Sequence, residues 1–165
     1  MVPRILIADD HEAVLKAIRT VLECDSRFEV CGSVTNGADA LIRAQELHPD
    51  VIILDLAMPV MNGFEAARKI GAVLPDIPIL LYTLTDSPQV RLEAANAGVR
   101  EVVIKSAGPH LLMGAVEKAL RKEVAAAPGV SGSGLPLAVA ALGETSGSTQ
   151  PGLADSSDVD PTKPS

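Results

Sequence analysis

Up to about residue 125, short apolar runs alternate with longer stretches of helical period. The runs Arg4–Ala8, 28–33, Val51–Leu54, Ile79–Thr83 and Glu101–Ile104 are mostly continuous and rich in β-branched residues. Strands buried on both faces of a parallel sheet read this way. Between them the apolar positions recur every three to four residues, as on one face of a helix. Ala13, Val14, Ala17, Ile18, Val21 and Leu22 form one stripe, and Ala40, Leu41, Ala44 and Leu47 a second. Phe64, Ala67 and Ile70 form a third, Ala94, Ala95 and Gly98 a weaker fourth, and Leu111, Leu112, Ala115, Val116, Ala119 and Leu120 the clearest. Pro49 and the Pro75/Pro78 pair separate helix from strand, and Gly98 stands where a helix C-terminal cap belongs. Five strand–helix units predict an open parallel sheet with helices on both faces.

The pattern stops near residue 126, which predicts a domain over 1–125. Positions 126–165 are rich in Gly, Ser, Pro and Ala, with one apolar island at 135–142 broken by Pro136. This composition predicts a disordered tail. Aromatics are scarce, so the core must be built from Ile, Leu, Val and Ala. The net charge of −7 argues against general nucleic-acid binding, which needs cations to replace counterions along phosphates. Cys24 and Cys31 read as buried thiols in a reducing compartment. The N-terminal apolar run is too short for a signal peptide, so the expectation is a soluble cytoplasmic protein.

Polar residues fall at the ends of the apolar runs. Asp9 and Asp10 follow the first strand, Asp55 the third, Thr83 ends the fourth and Lys105 follows the fifth. In a parallel sheet these ends share one edge, and ligands bind there where the winding reverses. The expected fold is α/β, a doubly wound, flavodoxin-like (βα)5 sheet of order 2-1-3-4-5, in which strands one and three are neighbours and Asp9, Asp10 and Asp55 converge. Two unit charges ~4 Å apart repel by about 4 kcal/mol at an effective dielectric near 20. Either a carboxylate takes a proton or a cation sits among them. A small hard cation with oxygen ligands, Mg²⁺, fits best. Asp55 can act as a covalent nucleophile that forms an acyl phosphate. Lys105 and the Thr83 hydroxyl can hold phosphoryl oxygens, the positioning and neutralisation that phosphoryl transfer requires.

These residues resemble the receiver domain of bacterial two-component response regulators, CheY-like in fold, over residues 4 to about 124. The likeness rests on the acidic pair in IADDH, the DLAMPVMNG loop, the threonine of LLYT and the lysine of VVIKS. It implies Asp55 as the phosphorylated aspartate and Asp10 as a direct Mg²⁺ ligand, with Asp9 acting mainly through water. It further implies the backbone carbonyl of Ala57 as a ligand, Thr83 and Lys105 as the phosphate-sensing pair, and Pro59 and Gly63 as loop-shaping residues. The implied partner is a histidine kinase or phosphotransfer protein, with a downstream protein as target. The implied readout face is helix four, strand five and helix five, including Arg91, Glu93 and Arg100. Three positions depart from the family: Val102 replaces a common aromatic, bulky Leu84 follows Thr83, and Ser106 follows Lys105 where proline is frequent.

Other readings make different demands. A degenerate receiver would keep the residues and signal by binding alone. Phosphatases of similar layout need an acid two residues after the nucleophile, where Ala57 stands, so the chain is not expected to be an enzyme beyond its own phosphorylation and dephosphorylation. No helical, basic recognition stretch follows residue 126, so DNA binding by this chain alone is not expected. No G-x-G-x-x-G follows strand one, which removes the dinucleotide reading. Asp9 and Asp10 could cap the first helix. His11, His48 and His110 read as solvated side chains.

Overall fold

The structure, a computed structural model, describes residues 1–121. The tail expected at 126–165 lies outside the described residues. Five strands and five helices alternate: β1 (Arg4–Ala8), α1 (Glu12–Glu23), β2 (Glu29–Val34), α2 (Gly37–Leu47), β3 (Val51–Leu54), α3 (Gly63–Val73), β4 (Ile79–Thr83), α4 (Pro88–Asn96), β5 (Glu101–Ile104) and α5 (Pro109–Leu120). All strand pairs are parallel and the order is β2-β1-β3-β4-β5, as expected for a flavodoxin-like sheet.

The three central strands carry the core. β3 and β4 are buried at every position and β1 at all but its first. Side chains alternate between two apolar layers. Ile5, Ile7, Ile53, Leu80 and Tyr82 face Ile18, Leu22, Leu112 and Val116 of α1 and α5. Leu6, Ala8, Ile52, Leu54 and Leu81 face Ala40, Ala44, Ala67, Ile70 and Ala94 of α2, α3 and α4. Each fully buried Ile or Leu stabilises the fold by about 1.5–3 kcal/mol, so the sheet centre is the rigid platform on which the strand ends are held.

Local chemistry sets the helix boundaries. Asn36, Asn62 and Ser87 accept hydrogen bonds from the third residue on, capping α2, α3 and α4. α4 ends as expected at Gly98, with φ +77. There Val99 N–H donates to Ala94 O and Gly98 N–H to Ala95 O, the paired bonds of a glycine-terminated helix.

Four expectations are corrected. β2 runs one residue later than predicted, because Phe28 is a buried plug whose N–H donates to Asp25 O in the preceding turn, outside the strand ladder. α4 buries Ala94 and the following Ala97, while Ala95 and Gly98 are exposed. On α1, Ala13 and Ala17 are exposed and line a groove. The two cysteines are free thiols, but Cys24 is exposed and Cys31 only half-buried. Cys31 is the extra residue of a bulge between Val30 and Gly32, and its thiol donates to Ile5 O at 3.4 Å. Burial pushes that thiol's pKa up, away from reactivity.

Candidate functional site

The sheet's own hydrogen bonding fixes the backbone of the two central acids. Asp9 N–H donates to Val34 O at 3.1 Å, and Asp55 N–H donates to Ala8 O at 2.8 Å. The ladder therefore extends one residue past β1 and β3, and both carboxylates emerge at the C-terminal edge. They are almost wholly buried, at 1% and 4% exposure. Buried acids need partners, since taking a charge from water is costly unless it is paired and hydrogen-bonded.

Lys105 is that partner. Its Nζ stands 2.5 Å from Asp9 Oδ2 and 2.9 Å from Asp55 Oδ1, and so bridges β1 and β3 from beyond β5. Burial alone would depress the lysine's pKa, but the hydrogen bonds and charges of Asp9 and Asp55 outweigh it and hold the pKa above its ordinary value. The ammonium is therefore charged at neutral pH. The remaining acceptors are also engaged: Asp9 Oδ1 accepts from His11 N–H at 2.9 Å and Asp55 Oδ2 from Ala57 N–H at 3.1 Å. Thr83, 4% exposed, accepts from Thr85 N–H at its hydroxyl oxygen, leaving the hydroxyl proton to donate.

Neither Asp9 nor Asp10 caps α1. The N-cap residue is His11, which makes no side-chain cap bond, and the Asp9 carboxylate turns back to the His11 amide instead. Asp10 is exposed, with its carboxylate 2.7 Å from His11 Nδ1. Ligand atoms of Asp9, Asp10 and His11 all lie within 4.8 Å of one another. Sequence reasoning set His11 aside. Its place after an acidic pair was the available signal, and the structure puts its ring against Asp10.

This donor set suits a divalent cation. Asp9 and Asp10 offer carboxylate oxygens in one cluster with a His11 ring nitrogen, while the Asp55 oxygens are engaged by Lys105 and the Ala57 amide. Oxygen donors of this kind suit a hard divalent cation rather than a soft metal. The ammonium between Asp9 and Asp55 shows that positive charge is favourable at this spot.

The loop after β3 is tied at both ends. Gly63 N–H donates to Leu56 O and Gly37 N–H to Met61 O. Val60, 85% exposed, has φ +68, a left-handed conformation that is costly for a β-branched residue. Beside the acids, a groove of about 620 Å³ opens between α1 and α5. Asp55, Thr83, Lys105 and Tyr82 line its floor, and Ala17, Val21, Leu84 and Leu112 are among its apolar walls. Sequence reading anticipated neither the groove nor Tyr82's place in it.

The architecture and this constellation agree with what a comparison of whole sequences finds. The family model for the response regulator receiver domain matches residues 5–117. The chain belongs to the response-regulator receiver family. This receiver domain is 36% identical over 123 residues to the response regulator protein VraR of Staphylococcus aureus (strain NCTC 8325), covering 74% of this chain and 59% of that protein. It is 36% identical over 130 residues to the protein-glutamate methylesterase/protein-glutamine glutaminase of Halalkalibacterium halodurans, covering 77% of this chain and 37% of that protein. The chain thus spans less than two thirds of either relative. Among solved structures, the chemotaxis protein CheY4 of Vibrio cholerae superposes with a TM-score of 0.68 at 30% identity, covering 73% of this chain and all of that one (100%). A phosphoacceptor role in two-component signalling follows from membership.

The receiver's departures now have positions. Val102 is half-buried against the α2–α4 layer. Leu84 is 75% exposed at the groove mouth. Lys105, Ser106 and Ala107 form a single 3-10 turn that leads into α5. Among the described residues, no helix is long and apolar enough to cross a membrane.

Proposed function

We propose that this receiver takes a phosphoryl group on Asp55, with Mg²⁺ held by Asp9, Asp10, Asp55 and the Ala57 carbonyl, and acts as a cytoplasmic signalling switch. The observation that carries the reading is the Lys105 ammonium within 2.5 Å of Asp9 and 2.9 Å of Asp55, two buried acids from neighbouring strands. A mere surface lysine would not be drawn into a buried pair of carboxylates across 96 positions of sequence.

In the proposed reaction an Asp55 carboxylate oxygen attacks the phosphorus of a phosphohistidine on a kinase or phosphotransfer partner. The P–O bond to Asp55 forms as the P–N bond breaks, and the leaving imidazole takes up a proton from solvent. The divalent cation supplies charge neutralisation at the phosphoryl oxygens. Asp9 and Asp10 position that charge, Lys105 contributes a second cation and Thr83 donates its hydroxyl proton to a phosphoryl oxygen. Water later hydrolyses the acyl phosphate. Apart from this self-directed chemistry the chain is not an enzyme.

Phosphorylation places about −1.5 to −2 charges where one carboxylate stood. Thr83 and Lys105 lie at the ends of β4 and β5, so the added charge pulls on the strands that carry α4 and α5. The proposed readout is the α4–β5–α5 face, where a downstream protein would distinguish two conformations that already exchange. Arg91, held by Asp86 at 2.6 Å through two guanidinium nitrogens, and Arg100 lie on that side.

The test is intact mass after incubation with Mg²⁺ and a small phosphodonor. The parent should gain one phosphoryl group and Asp55→Asn none. A folded parent that gains no such mass under small donors or a phosphorylated histidine partner would leave only a phosphorylation-independent binding module.

A further inference from the structure

Tyr82 is the chain's one tyrosine, and there is no tryptophan. In the β4–β5 ladder Tyr82 stands opposite Val103. Lys105 lies two residues past Val103, at the start of the 3-10 turn that follows β5. The Lys105 Nζ lies 5.8 Å from the centre of the Tyr82 ring, inside the range of about 6 Å over which an ammonium is attracted to an aromatic face. Tyr82 is only 9% exposed and lines the groove beside Asp55, Thr83 and Lys105. The aromatic common in the family three residues before the lysine is here Val102.

We propose that Tyr82 is a positioning residue for Lys105, its ring face holding the ammonium at the phosphoacceptor edge; this rests on the phosphoacceptor reading of Asp55. A lysine stem is flexible and its head is a point charge, so geometry must come from what surrounds it. In the unphosphorylated protein Asp9 and Asp55 fix the ammonium from one side. Phosphorylation converts Asp55 from a carboxylate into an acyl phosphate, so the acidic partners of Lys105 change during the reaction. The ring is the contact that does not change. It limits how far the ammonium can swing and keeps it facing Asp55 through the exchange.

The experiment compares phosphorylation rates with a small phosphodonor and Mg²⁺. Tyr82→Leu keeps an apolar side chain but removes the aromatic face, and should slow the reaction about two- to fivefold, the rate equivalent of an ammonium–ring contact. Tyr82→Phe, which keeps the ring, should recover the rate to within about twofold. In a Lys105→Met background Tyr82→Leu should cost nothing further, because the two act as one unit. Circular dichroism establishes that each variant is folded. Independently of phosphorylation, emission from the lone tyrosine should differ between the parent and Lys105→Met. A Tyr82→Leu rate equal to the parent's, an undiminished loss in the Lys105→Met background, or superimposable emission spectra would each overturn the proposal. If the parent itself gains no phosphoryl mass, the phosphoacceptor reading fails, and the emission comparison still decides whether the ring and the ammonium interact.

Discussion

Gly63 is the first residue of α3, where alanine would ordinarily serve the helix better than glycine. Its place is determined by space. A Cβ built there would stand 2.3 Å from the Asp55 carbonyl oxygen, 3.0 Å from Leu56 Cα and 3.1 Å from the Asp55 carbonyl carbon. All three obstacles are backbone, and the same backbone is held by Asp55 N–H to Ala8 O at one end and Gly63 N–H to Leu56 O at the other. A flexible side chain could move aside; this segment cannot move without re-aiming the Asp55 carboxylate. Overpacking a core by a methyl costs about 1–3 kcal/mol, and Gly63→Ala belongs at the upper end. At about 4 °C per kcal/mol for a domain near this size, Tm should fall by about 12 °C. Phosphorylation should slow at least tenfold, since a misplacement of ~1 Å can cost ~10²-fold. The control is Gly71→Ala in the same helix, where an added Cβ meets nothing within 4 Å. That change should stabilise by about 0.5–1 kcal/mol and leave phosphorylation unaltered. Urea titration and phosphodonor kinetics on both variants decide the matter. A Gly63→Ala protein as stable as the parent and phosphorylated as fast would refute the close-approach argument.

Other consequences are as direct. Val60→Gly should raise stability by about 1 kcal/mol, because glycine accepts the φ of +68 that valine resists; a lower urea midpoint would contradict this. Lys105→Met should lower stability by about 3 kcal/mol without divalent cation, by stranding two buried carboxylates. The sign of its pH dependence follows from the raised pKa of Lys105. The ammonium's contribution is complete below the ordinary lysine value of 10.5 and disappears as pH climbs through the higher folded value. The stability gap between parent and Lys105→Met should therefore be flat through neutral pH and close only above 10.5; closure near neutrality would count against the bridge. Leu84→Ala should speed phosphorylation by small donors about two- to threefold by widening access at the groove mouth, an effect of steric positioning. An unchanged donor-concentration dependence would remove that role.

The fold and the meeting of Asp9, Asp55 and Lys105 at one sheet edge were legible because both depend on strong, short-range signals. Fully buried parallel strands are continuous apolar runs, and four of the five, β1, β3, β4 and β5, began and ended where the runs did. A charged residue directly after such a run has one place to go, which is how Asp9, Asp55 and Lys105 could be placed together. What was missed involves features that residue type does not encode. Ala94, Ala95, Ala97 and Gly98 are too small and too alike for periodicity to tell the buried pair from the exposed one. Ala13 and Ala17 looked like core, because an apolar groove and an apolar core produce the same stripe. Val60 carries no mark of its left-handed backbone. Tyr82 looked like any strand residue until the fold brought the Lys105 ammonium over its ring. Cys31 gained its half-buried position from a bulge, and Cys24 its exposure from lying just past the end of α1.

The bridge from Lys105 to Asp9 joins positions 96 apart, across nearly the whole described domain. On a ribosome, the first two acids and the β3 aspartate emerge long before their counter-charge does. Until β5 has left the exit tunnel and closed the sheet's far side, Asp9 and Asp55 have no ammonium between them. A half-made chain therefore lacks the cation that pairs its two buried acids. The counter-charge of the two buried acids thus arrives only after the last strand has been made.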